Sequence, residues 1–112
     1  MARKISICYK VTASGGAEGK TSIYTVEAGK RFKLESCYVS FPAGTYYELE
    51  LAFYYGDKKI APEENNYVGD NQNYEDVLDF TIESGESLLL YYKNNNTTNT
   101  KEAFVIVRGV LE

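Results

Sequence analysis

The stretch Tyr46-Tyr47-Glu48-Leu49-Glu50-Leu51-Ala52-Phe53-Tyr54-Tyr55-Gly56-Asp57-Lys58-Lys59-Ile60-Ala61-Pro62 decides the fold class. In it Tyr47, Leu49, Leu51, Phe53 and Tyr55 alternate with Tyr46, Glu48, Glu50, Ala52 and Tyr54. Successive side chains of a strand point to opposite faces, so this period of two predicts a strand with one face in a core and the other in water. Gly56-Asp57 is a two-residue hairpin signal. It leads into a short strand, 58–61, stopped by Pro62; proline cannot donate to a ladder, which marks that strand as an edge.

The same alternation runs outward in both directions, and no segment of 11 or more residues carries the 3.6-residue spacing of a helix. Strands are predicted at 4–11, 21–27, 31–41, 47–55, 58–61, 77–82, 87–93 and 101–111. The first places Ile5, Ile7, Tyr9 and Val11 on one face and Ser6, Cys8 and Lys10 on the other. In the third, Phe32 and Leu34 share one parity while Cys37, Val39 and Phe41 share the other. One extra residue near Glu35-Ser36, a β-bulge, reconciles them. Tyr47, Tyr55 and Tyr92 fall on inward parity and are assigned to the core.

Eight antiparallel strands in 112 residues fit an all-β sandwich of two sheets, of which the jelly roll is the eight-stranded form. Connection lengths make a second case for it. The first, third, fifth and seventh connections of a jelly roll meet at one end; here they are 12–20, 42–44, 62–76 and 94–100, three of them long. The second, fourth and sixth, at 28–30, 56–57 and 83–86, are tight turns for the opposite end. An immunoglobulin-like sandwich is the alternative, but the chain has no Trp and so lacks the Cys-Trp-Cys pattern. At this length residues 1–112 make one domain, and a hydrophobic fraction of 44% suffices for its core without disulfides or metal.

The run Thr25-Val26-Glu27-Ala28-Gly29-Lys30-Arg31-Phe32-Lys33-Leu34, with Ser36, Tyr38, Val39 and Ser40, carries a resemblance. It is similar to the V-x-A-G-K-x-F-x-L strand pair of small jelly-roll domains in viral and phage structural proteins and in some extracellular sandwiches. The resemblance spans one strand pair and brings no catalytic or binding residue with it. It implies a structural role and incorporation into a virion.

Composition removes several classes of function. Twelve Lys and Arg against 16 Asp and Glu give a net charge of −4, which repels nucleic-acid backbones and anionic membranes. With no His and 2 Cys there is no Ser-His-Asp or Cys-His nucleophile, no imidazole metal site and no zinc module. The start, Met1-Ala2-Arg3-Lys4, is basic, but the following residues alternate and never form the apolar run of a signal peptide. No stretch reaches the roughly 18 apolar residues of a membrane span. The expectation is a non-enzymatic protein without cofactor or metal, synthesised in the cytoplasm, whose partner is a second copy, a particle component or a glycan.

The candidate contact residues divide between a loop and a sheet. The polar segment 62–76 holds Glu63, Glu64, Asp70, Glu75 and Asp76, with Asp79 just beyond. Glycosidase chemistry needs two carboxylates about 5–9 Å apart with one desolvated. A calcium loop needs alternating acids and a Gly, which Asp70-Asn71-Gln72-Asn73 does not supply. A solvated loop and a weak calcium site are the readings left open. Tyr67 and Tyr74, with Asn66, Asp70 and Asn73 as hydrogen-bonding groups, are the residues for a carbohydrate contact, because tyrosine joins a large apolar body to a polar tip.

Two strands are apolar on both faces. The eighth sets Phe104, Ile106 and Val110 against Ala103, Val105, Val107 and Leu111, and the seventh sets Leu89 and Tyr91 against Leu88, Leu90 and Tyr92. A neighbouring subunit, or the chain's own loops and termini, covers these outward residues, and Leu89 and Tyr91 are candidate contacts. Cys8 and Cys37 lie on opposite parities of strands flanking a third, about 10 Å apart at the usual strand spacing, so both are expected as free thiols. Asn95-Asn96-Thr97 and Asn96-Thr97-Thr98 match the glycosylation pattern but are expected to mark an exposed turn.

Overall fold

The structure, a computed structural model, describes residues 2–112. Eight strands follow one another: β1 (Arg3–Ala13), β2 (Glu18–Thr25), β3 (Phe32–Phe41), β4 (Leu49–Tyr55), β5 (Lys58–Ala61), β6 (Gln72–Ile82), β7 (Ser87–Asn94) and β8 (Lys101–Leu111). They form two antiparallel sheets of four, in the orders β1-β8-β3-β6 and β2-β7-β4-β5. The short β5 is an edge, as Pro62 requires.

Inward residues of both sheets share a core that includes Phe32, Leu34, Val39, Phe41, Leu49, Leu51, Phe53, Leu88, Leu90, Val105 and Val107. Burying a side chain of this size stabilises a fold by about 1.5–3 kcal/mol. Edge-on aromatic pairs lock the sheets together, with Tyr24 against Phe32 at 5.2 Å and Tyr55 against Phe80 at 5.3 Å. Cys8 is exposed, Cys37 is buried, and neither is bridged.

Against β8, β3 carries one extra residue between Leu34 and Ser36, which is the bulge that the change of parity demanded; against β6 the register shifts at the same place with the extra residue on β6. Gly109 of β8 pairs with Leu34 at that point, and a Cβ built on it would lie 2.2 Å from the Lys33 carbonyl oxygen. Glycine is therefore required there so that the bulged backbone can approach.

Three expectations need correction. β4 starts at Leu49, and Tyr47 is not in the core: it is 55% exposed, and Tyr46 is 66% exposed. The backbone at both is left-handed, with φ of 53° and 59°, which breaks the alternation before the strand begins. β2 runs from Glu18 to Thr25, earlier than predicted; inward-facing Gly19 sits beneath the ring of Tyr92, whose hydroxyl would lie 3.1 Å from an added Cβ. β6 begins at Gln72, so the loop before it is 62–71. Asn73 and Glu75 are the wet face of an edge strand whose other face carries Tyr74, Leu78 and Phe80 against the core.

Candidate functional site

The connections 14–17, 42–48, 62–71 and 95–100 are tied to one another by hydrogen bonds at one end of the molecule. Asn94, the last residue of β7, is the centre of this cap and is fully buried. Its side-chain amide donates to the carbonyls of Ala13, Ser14 and Asn99 at 3.0, 3.2 and 2.8 Å, and its oxygen accepts from the Asn96 N–H at 3.0 Å. One side chain thereby satisfies backbone groups of two loops that the turn of the chain leaves without strand partners. The Asn96 side-chain oxygen (Oδ1) then accepts from the N–H groups of Thr98 and Asn99, closing the Asn/Thr tract into a compact turn.

Lys101, at the start of β8, performs the same task for 42–48. Its ammonium donates to the Gly44 carbonyl at 2.9 Å, pairs with Glu48 at 3.2 Å and lies 5.2 Å from the ring centre of Tyr46. Glu48 also accepts from Asn96, and Glu50 accepts from Asn95 at 2.6 Å and Asn66 at 2.9 Å. These donors hold both carboxyls below the ordinary carboxylate value, Asn96 contributing most at Glu48 and Asn95 most at Glu50. Both are ionised at neutral pH and neither is poised as a general acid.

The residues singled out for a carbohydrate contact, Asn66, Tyr67, Asp70, Asn73 and Tyr74, are brought to this end in structural roles, whereas Asp79 lies within β6. Asn66 donates to Glu50; Asp70 accepts the Gly44 N–H at 2.7 Å; Asn73 accepts from the Ser40 hydroxyl at 2.7 Å. Tyr67 is 6% exposed, pairs in β-bridge fashion with Leu51 and packs edge-on against Phe53. Its hydroxyl donates to Asp76, and burial followed by that contact pushes its pKa upward. Tyr74 donates to the Val68 carbonyl at 2.7 Å, and its ring lies at 41° to that of Tyr67. These rings pin the loop onto the sandwich and do not form an exposed coplanar platform. Among the described residues no group of three or more Asp, Glu, Cys or His is placed to hold a metal ion.

Tyr46 and Tyr47 are the aromatic pair that the loop end does expose. Sequence reasoning missed them because alternation assigned one to the core and the other to a strand's wet face. A left-handed turn after Gly44 has no signature in hydrophobic periodicity.

On the sheets, Leu89 and Tyr91 lie on the outer face of β7, both half-buried. Tyr91 packs against Tyr54 at 6.0 Å and donates to Glu18 at 2.6 Å, while the Lys20 ammonium sits 4.1 Å over the Tyr54 ring. Burial and the Glu18 contact raise the Tyr91 pKa. This small layer is the chain's own cover for β7, and Ala52, the ladder partner of Tyr91, is fully buried. The outer face of β8 has no such cover: Phe104 is 46% exposed beside a shallow apolar depression lined by Cys8, Lys10 and Ile106. Among the described residues no helix is long and apolar enough to cross a membrane.

No family model and no curated relative matches the chain. Solved structures do. A chain of the Sulfolobus turreted icosahedral virus superposes with a TM-score of 0.64 at 16% identity, covering 97% of this protein and 29% of that chain. This protein therefore spans under a third of that chain's length. A chain of the cyanophage Pam1 capsid asymmetric unit gives 0.55 at 11% identity over 98% of this protein and 84% of that chain. One from the acid-stable capsid of the Helicobacter pylori bacteriophage KHP30 gives 0.53 at 15% over 97% and 93%. The resemblance to small domains of viral and phage structural proteins, first seen in Thr25 to Ser40, thus holds along nearly the whole chain as a likeness of fold.

Proposed function

We propose that this protein is a non-enzymatic structural subunit, a one-domain jelly roll over 1–112 that assembles with copies of itself or with other components of a virion or similar particle. The observation that carries this reading is the near-complete superposition on capsid chains of two phages and on a chain of an icosahedral virus. The strand orders β1-β8-β3-β6 and β2-β7-β4-β5 favour the jelly roll over the immunoglobulin-like alternative, because sequence neighbours pair only at β4-β5. The exposed Phe104 on a doubly apolar strand supports a protein partner, and Leu89 and Tyr91 are proposed as contacts on the opposite sheet. Light scattering coupled to size-exclusion chromatography tests the reading: assembly that grows with concentration supports it. A strict monomer that captures no particle component refutes it.

A second reading, contact with a polyhydroxylated ligand such as a glycan, rests on the exposed Tyr46 and Tyr47 at the loop end. Asn66, Asp70, Asn73 and Tyr74 frame that end, and Tyr67 serves it from beneath. Left-handed backbone at two bulky residues costs about 1–3 kcal/mol each, a strain that collects at contact surfaces. A glycan-array signal lost in Tyr46→Ala and Tyr47→Ala supports this reading; no signal from the intact protein rejects it.

A further inference from the structure

The sheet β1-β8-β3-β6 ends in two free edges of equal length and opposite charge. β1 and β6 each run 11 residues and each pairs on one side only. β1 carries Arg3, Lys4 and Lys10 and no acid; β6 carries Glu75, Asp76 and Asp79 and no base. The other sheet ends differently, in β2, which mixes Glu18 with Lys20, and in the four-residue β5 stopped by Pro62. Long edges with unpaired backbone groups are templates for strand addition, and proteins ordinarily blunt them by shortening, bulges or charge. Here charge of one sign on each edge opposes pairing of like edges and favours pairing of unlike ones.

Direction agrees as well, and height agrees at one end of the edge. Strands alternate along the sheet, so a second copy in the same orientation meets β6 with its β1 antiparallel. The row Arg3–Leu111–Phe32–Ile82 makes the two edges level at one end. At the other, Lys10–Phe104–Ser40–Asn73 sets Lys10 level with Asn73, two residues from Glu75, because β6 advances nine residues where β1 advances seven. Pairing Arg3 with Ile82 aligns all 11 residues and keeps both outer faces on one side. Lys10 then stands opposite Glu75, Ser6 opposite Asp79 with Lys4 diagonal to it, and exposed Cys8 opposite Val77. Val77, 88% exposed on the wet face of a free edge, gains an apolar neighbour in this arrangement. On the inner face Ile5 and Ile7, half-buried at the β1 edge, meet Phe80 and Leu78, half-buried at the β6 edge. The intramolecular pairs Lys10–Glu102 at 2.7 Å and Lys33–Asp79 at 3.8 Å are exposed surface pairs, weak enough to share or exchange.

We infer that β6 of one copy pairs antiparallel with β1 of the next, extending the sheet head to tail through a second copy of this chain. Such a contact is heterologous and builds a ring if the rotation closes and a filament if it does not. The inference rests on the self-assembly reading above and specifies its surface.

Charge exchange tests it. Lys4→Glu/Lys10→Glu makes both edges acidic, and Glu75→Lys/Asp79→Lys makes both basic. In sedimentation and light-scattering measurements the wild type should assemble with concentration and loosen as salt is raised. Each double variant should associate roughly tenfold or more weakly, because cross-strand attractions become repulsions. An equimolar mixture of the two variants should regain assembly, which also shows that both are folded. Variants that assemble like the wild type, or a mixture that stays dissociated, overturn the edge contact; with assembling wild type, self-assembly itself then stands and Phe104→Asp locates its surface. A wild type that remains monomeric at the highest concentration attained overturns both.

Discussion

Gly109→Ala should destabilise the fold, although the same change at an unstrained site stabilises by about 0.4–1 kcal/mol through the unfolded chain. An added Cβ would lie 2.2 Å from the Lys33 carbonyl oxygen and 2.7 and 2.8 Å from two ring atoms of Phe32. The carbonyl belongs to bulged β3, held by β6 on one side and β8 on the other, and Phe32 is fully buried, so neither obstacle moves freely. Overpacking a close-fitted core costs typically about 1–3 kcal/mol; backbone contact puts this site near the upper end. Subtracting the unfolded-state gain leaves a loss of roughly 2 kcal/mol. For a chain of this size that lowers the melting temperature by about 8 °C. Equilibrium urea unfolding is the assay: the midpoint should fall with the slope unchanged. A variant as stable as the wild type would refute the argument that close approach at the bulge requires glycine.

Three further outcomes follow from the cap and the thiols. Asn94→Ala removes three donated hydrogen bonds and one accepted; exposed Ser14 and Asn99 rehydrate, the buried Ala13 carbonyl does not, and about 2 kcal/mol should be lost in urea titration. Glu48 and Glu50 have folded pKa values depressed below 4.5, so the stability they supply is complete above that value and is lost as pH falls through their folded values. The stability gap between wild type and Glu48→Gln/Glu50→Gln, constant near neutral pH, should therefore narrow in urea titrations as the pH is taken below 4.5. Burial pushes the Cys37 thiol to about 11, so native protein should react with a thiol reagent at Cys8 alone near neutral pH, and Cys37 should label only on unfolding; rapid native labelling of both would contradict its burial.

Local pattern carried most of the strand assignments, because a half-buried strand must alternate: Leu49 to Tyr55, the turn at Gly56-Asp57 and the phase change at Glu35-Ser36 each have a direct residue signature. The likeness to viral structural domains was visible in one strand pair, since a Gly-Lys turn between alternating runs is itself local. β6 was read short because Gln72 to Asp76 is polar on both parities except at Tyr74; Asp76 faces inward on the parity of Tyr74 and Leu78, where the Tyr67 hydroxyl, nine residues away across the loop, donates to it.

What the sequence by itself determined is the all-β class, the inward parities within the strands, the bulge and the free thiols, all consequences of near-neighbour sterics and period. Tertiary structure alone decided that Tyr67 is buried and Tyr46 and Tyr47 are exposed, since the first depends on Leu51 and Phe53 and the others on a left-handed turn braced by Lys101. It also decided that basic β1 and acidic β6 become the two free edges of one sheet. That juxtaposition depends on β8 and β3 entering between them, a pairing across much of the chain that no local pattern encodes.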